Sequence, residues 1–151
     1  MNLVRALLVS VLVATTLSPA VSHAQGSDPL QRISADMTII RSQLELALRY
    51  DRMALQMLVE NGSSPDAVEE ARRLATQAYV MARFAMGGLE MKLEGQKTFR
   101  RFKDPLVEMT RDKVVGAWNS TRGIIESGGV EAQIQYGQRA IERLEAALLL
   151  I

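Results

Sequence analysis

Cysteine is absent from this 151-residue chain, and histidine occurs once, at His23. Without cysteine there is no disulfide scaffold, no thiolate nucleophile and no thiolate metal site. Haem-binding helical bundles hold iron through histidine, by a Cys-x-x-Cys-His attachment or an axial Met–His pair. The di-iron bundles need Glu-x-x-His pairs. One histidine, itself inside the N-terminal segment treated next, supplies none of these, so no cofactor is expected. Strand patterning is missing too, since no stretch alternates apolar and polar residues over a useful length. Nor is there an apolar run of the roughly 20 residues that span a bilayer.

What the N-terminus does contain is the three-part pattern of a secretory signal. Arg5 supplies the positive start, and Ala6 to Leu17 form an apolar run of about a dozen residues. Small residues at Ser22 and Ala24 then suit signal peptidase. Cleavage is expected after Ala24, giving a signal peptide over 1–24 and one mature domain over 25–151. With no cysteine after the apolar run, a lipoprotein anchor does not fit. The expected location is the bacterial periplasm, or secretion. Removing 24 of 151 residues leaves 127, enough for one domain with a core. The 18 Lys plus Arg lose only Arg5, so 17 basic residues face 17 acidic ones. A neutral domain has no global field to attract nucleic acid, and none is expected as a partner.

The mature chain reads as helix throughout. Asp28-Pro29, Ser64-Pro65 and Asp104-Pro105 each place a capping side chain before a proline. The cap oxygen accepts a free backbone N–H, and proline at the first helical position gives up an N–H that had no partner. Asn61-Gly62 and Gly128-Gly129 act as stops. Apolar residues recur every three or four positions, most regularly in Val130, Ile134, Gly137, Ile141, Leu144, Leu148 and Ile151. Helices are therefore expected at about 29–61, 65–94, 105–127 and 130–151. Short links at 61–64 and 127–129 predict antiparallel neighbours, hence an all-α, up-down-up-down antiparallel four-helix bundle. Residues 95–103 fit either an extension of the second helix or a loop.

Several residues stand out against that frame. Asp51 falls between Leu48 and Leu55, on or beside the inward face of the first helix. A buried carboxylate is costly unless paired. Arg83, Lys113 or an adjacent arginine would serve as partner inside the bundle. A boundary position, with Asp51 bound to Arg49, Arg52 or another surface group, is the more economical reading. Gly116 and Gly123 lie seven apart on one face of the third helix. They permit close packing, the preferred reading, or leave room for a pocket beside Trp118 and Tyr79. Met53 and Met57 share a helix face, but Met81, Met86 and Met91 step by five and spread around theirs, so a Cu(I) site is disfavoured.

Two surfaces are candidates for contact with a partner. Lys92 to Lys103 holds Lys97, Arg100, Arg101 and Lys103 interleaved with Phe99 and Phe102. Cations beside aromatics bind an anionic membrane surface or an acidic partner, although a solvated turn with its phenylalanines folded back is the simpler reading. At the C-terminus, Leu148, Leu149, Leu150 and Ile151 cannot all face inward from one helix. Leu149 and Leu150 therefore join the candidate surface, pointing to a protein partner or a homo-oligomer. Three functional classes follow: a non-enzymatic exported interaction protein, which is favoured; a ligand- or metal-binding bundle with a pocket between its helices; and an enzyme, which would need a second carboxylate converging with one such as Asp51.

Overall fold

The computed structural model describes the backbone of residues 29–98 and 104–151, and side chains over 37–96 and 104–151. The expected signal peptide, its cleavage point and Phe99 to Lys103 lie outside the described residues. Four helices make up what is described: α1 (Pro29–Asn61), α2 (Pro65–Thr98), α3 (Pro105–Glu126) and α4 (Val130–Leu148). Among the described residues there is no strand. No helix among them is long and apolar enough to cross a membrane.

The helix limits follow the local chemistry. Asp104 caps α3, its carboxylate accepting the N–H of Leu106 at 2.9 Å, with Pro105 at the first helical position. At the other end of α3 the Ser127 N–H reaches the Gly123 carbonyl at 3.0 Å. The Arg72 guanidinium donates to the Ser127 carbonyl at 3.2 Å, setting a cation where the helix dipole is negative. Gly62 is needed in the α1–α2 link, since a Cβ there would strike the Leu58 carbonyl and the Val130 side chain. The second helix runs four residues past the expected 94, because nothing between Gly95 and Thr98 removes a donor or caps the helix. The fourth ends at Leu148 rather than 151, where the Leu149 N–H bonds back to Glu145 at 3.1 Å and Leu150 turns to Ala147 at 3.2 Å.

The helices pack side by side, α1 and α3 each lying against both α2 and α4. Eleven of the twenty-two buried apolar residues among those described are alanine, six of them on α2. So α2 turns inward a face of methyl groups, and its neighbours can approach closely. Larger groups fill the remaining space in two clusters. One gathers Ile40, Leu44, Leu89, Val114 and Leu144; the other gathers Leu58, Leu74 and Ile124. Leu144 is fully buried, and truncating such a side chain typically costs about 2–5 kcal/mol.

Candidate functional site

The inward row of α1 runs Leu44, Ala47, Asp51, Ala54 and Leu58, with steps of three and four. Asp51 continues that row, so the helix carries its carboxyl into the core with none of its surface exposed. On α3 the row Val114, Ala117, Thr121 and Ile124 does the same for Thr121. The Thr121 hydroxyl donates to Asp51 Oδ2 at 2.7 Å. The second carboxyl oxygen, Oδ1, has no hydrogen-bond partner among the described residues. Ala78 on α2 and Ala140 on α4 are buried but belong to neither apolar cluster. Along their own helices, Asp51, Thr121 and Ala78 fall between residues of the two clusters, so a small polar layer divides the core. Burial pushes the Asp51 carboxyl up from 3.8 to about 7, against the opposing pull of the Thr121 hydrogen bond.

Among the described residues no arginine or lysine pairs with Asp51. Arg83 is exposed, and its guanidinium lies 5.9 Å from the centre of the Trp118 ring. Arg52 instead pairs with Glu145 across to α4 at 2.6 Å. Lys113 and Arg49 are exposed. Asp51 is thus a buried polar group, and what is corrected is its expected basic partner and the boundary alternative. Asp51 is neither ion-paired in the core nor set at the boundary, because its position belongs to the inward row and only a hydroxyl meets it there. Arg83, by contrast, is not a buried polar group.

The two glycines of α3 each receive a neighbouring side chain. Arg143 lies across Gly116, donating from Nη1 to the Gly116 carbonyl at 2.6 Å and to the Ser120 hydroxyl at 3.1 Å. The Tyr136 ring occupies the space where a Gly123 Cβ would project. Both glycines therefore let α4 side chains approach, and neither opens onto a pocket. Trp118 stacks on Tyr79 with ring centres 4.9 Å apart, joining α2 to α3 away from those glycines. Gln133 is a further buried polar group, one the sequence reading missed. Its amide donates to the Ile124 carbonyl at 2.9 Å, while its own oxygen has no partner among the described residues.

Met37, Met81 and Met86 belong to one apolar cluster. Met86 is in the core, Met81 and Met57 are half-buried, and Met53, Met91 and Met109 are exposed. Among the described residues no three His, Asp or Glu side chains are placed to hold a metal ion. The C-terminal leucines divide. Leu149 is 88% exposed and Leu150 half-buried, while Leu148 and Ile151 pack against the core. Of the basic-aromatic segment, Lys97 falls within α2, with its side chain outside the described set, and Phe99, Arg100, Arg101, Phe102 and Lys103 lie outside it entirely.

A further exposed apolar surface lies on α1 and α2. Of the ten exposed large apolar side chains among the described residues, seven sit on α1 and α2, and all but Val59 fall in two rows: Ile39, Leu46 and Met53, then Val80, Phe84 and Met91. The first row repeats every seven residues, and the second steps by four and then seven. Each is thus a single stripe on its helix. A shallow groove lined by Tyr50, Gln77, Val80 and Met81 joins the two helices, and Ile40 lies beside Gly88 farther along. No family model, no curated protein and no solved structure matches this chain.

Proposed function

We propose that this chain is an exported, non-enzymatic interaction protein. On this reading residues 1–24 are a signal peptide cleaved after Ala24, and the mature chain acts in the periplasm or outside the cell. Residues 25–151 form an up-down-up-down antiparallel four-helix bundle. That topology is supported by the short links at 62–64 and 127–129 and by the order of contacts: Ile40 meets Gly88, while Tyr50, later in α1, meets Val80, earlier in α2. The observation that carries docking is the exposed double row on α1 and α2. Large apolar groups in two aligned stripes lose surface to water unless something covers them. A bundle that buries a complete core elsewhere has no packing reason to keep that face apolar. The exposed Leu149 adds a smaller contact, and the basic segment around Arg100 and Arg101 provides a contact to an anionic membrane surface.

A second reading, a bundle that holds a small ligand or metal between its helices, rests on the unpartnered Oδ1 of Asp51. It is weakened at the glycines, where Arg143 and Tyr136 take up the room.

Native mass spectrometry of the protein exported with its own N-terminus tests the proposal. A mass beginning at Gln25, with protein assemblies that disappear in Leu46→Glu/Phe84→Glu, is expected. Retention of residues 1–24 overturns export. A bound small molecule lost on Asp51→Asn would favour the second reading.

A further inference from the structure

We infer that the partner covering the α1–α2 face is a second copy of this chain, joined face to face about a twofold axis. The inference rests on the docking reading above and names its partner. Its first support is area. The six side chains of the double row expose on the order of 600 Å² between them, at the top of the range for the largest patch on a monomer. Tyr50 and the uncharged groups between the rows add to this, bringing the face near the ~800 Å² per partner of a standard interface.

The second support is charge. Between the rows stand Gln43, Tyr50, Gln77, Met81 and Gly88, all uncharged. An acidic or basic partner would find nothing there to read, whereas an uncharged face meets its own image without like-charge repulsion. The flanks carry both signs, with the Arg41–Glu45 pair at 3.1 Å on α1 and Arg83 and Glu90 on α2. A twofold axis therefore does not oppose a rim of one sign to itself.

Shape is the third support. A twofold interface uses the same patch on both copies, so each must offer both knob and hole. Phe84 is 58% exposed and projects from α2. One turn away on the same stripe, Gly87 has open space where its Cβ would be. The seven-residue steps in both rows match the heptad period of helix-on-helix seams, so α1 and α2 of one copy can lie along those of the other.

Sedimentation equilibrium of the purified full chain, up to about 100 μM, tests this together with in-cell photo-crosslinking from position 84. A dimer is expected in the parent. Phe84→Glu should weaken it at least about 30-fold, the effect of losing a central anchor, with the helical circular dichroism signal unchanged. Phe84→Ser replaces it should the glutamate variant not fold. A monomer at the highest concentration overturns self-association. So does a dimer indifferent to both Phe84→Ser and Met91→Glu. A crosslink from position 84 to a second copy supports the inference. A crosslink only to a different protein overturns it and leaves the docking reading standing, while no crosslink from a monomeric protein overturns both.

Discussion

Replacing Asp51 by asparagine should make the protein more stable at pH 8 and leave it nearly unchanged at pH 4. The carboxyl is fully buried, has one hydroxyl partner, and is pushed from 3.8 to about 7 in the fold, chiefly by desolvation. Below pH 3.8 both folded and unfolded chains hold the proton, and stability does not depend on this group. Between 3.8 and 7 the unfolded chain releases the proton while the folded chain keeps it, so stability falls as pH rises. Above 7 both are ionised, and the loss is complete. A shift of about three units corresponds to roughly 4 kcal/mol.

Asparagine is nearly isosteric and never ionises. Its oxygen can accept from Thr121, leaving an amide with no acceptor, much as the neutral acid leaves its own proton without one. The two proteins should therefore agree within about 1 kcal/mol at pH 4. At pH 8 the variant should be ahead by about 2–4 kcal/mol, the lower end allowing for relaxation around the charge. Urea unfolding followed by circular dichroism at pH 4, 5, 6, 7 and 8 measures the difference directly. Every other titrating group is common to both proteins and cancels. A difference that stays flat across this range refutes the reasoning, since Asp51 would then ionise as easily in the fold as outside it.

Thr121→Val removes the one hydrogen bond that favours the ionised carboxylate, so the Asp51 pKa should rise further and the loss of stability should continue to higher pH. The cost should be about 1–3 kcal/mol, larger at pH 8 than at pH 4, in the same urea series. Gly87→Ala meets open space and gains helix propensity, so thermal unfolding should show about 0.5–1 kcal/mol of stabilisation. Gly123→Ala drives a methyl into the Tyr136 ring, and the same assay should show a net loss of about 1–3 kcal/mol despite the same propensity gain.

The helices were legible because local chemistry marks them: proline at the start of α2 and α3, glycine after α1, and stripes of three–four spacing in each. Whether residue 51 is inside or at the edge was harder to read. Leu48 and Leu55 flank the true inward row, so the stripe drawn through them put Asp51 at its margin. The row through Ala47, Asp51 and Ala54 is marked only by alanines, which pattern analysis weighs lightly. The exposed rows were hidden for a related reason. Ile39, Leu46 and Met53 sit among enough core residues that α1 reads as one broad apolar face. Separating the two needs the positions of α2 and α4. Arg143 over Gly116 is a contact 27 residues apart, which no local signal could supply.

An alanine-rich core raises the problem of register. Methyl groups present little relief, so α1, α3 and α4 could slide past one another around α2 by a turn and lose few contacts, and apolar burial alone discriminates poorly among such packings. A polar layer changes the balance. Any slide that separates Thr121 from Asp51 strands a carboxyl and a hydroxyl in an apolar interior, at about 1–3 kcal/mol for each neutral group. The Gln133 amide on the Ile124 carbonyl adds a second fixed point, between α4 and α3. On this argument Asp51 and Thr121 cost stability and confer a single arrangement. The double variant Asp51→Leu/Thr121→Val should then resist urea better than the parent at pH 8 while its proton–nitrogen NMR spectrum broadens or doubles. A more stable variant with one sharp set of resonances would show that side-chain shape alone sets the register.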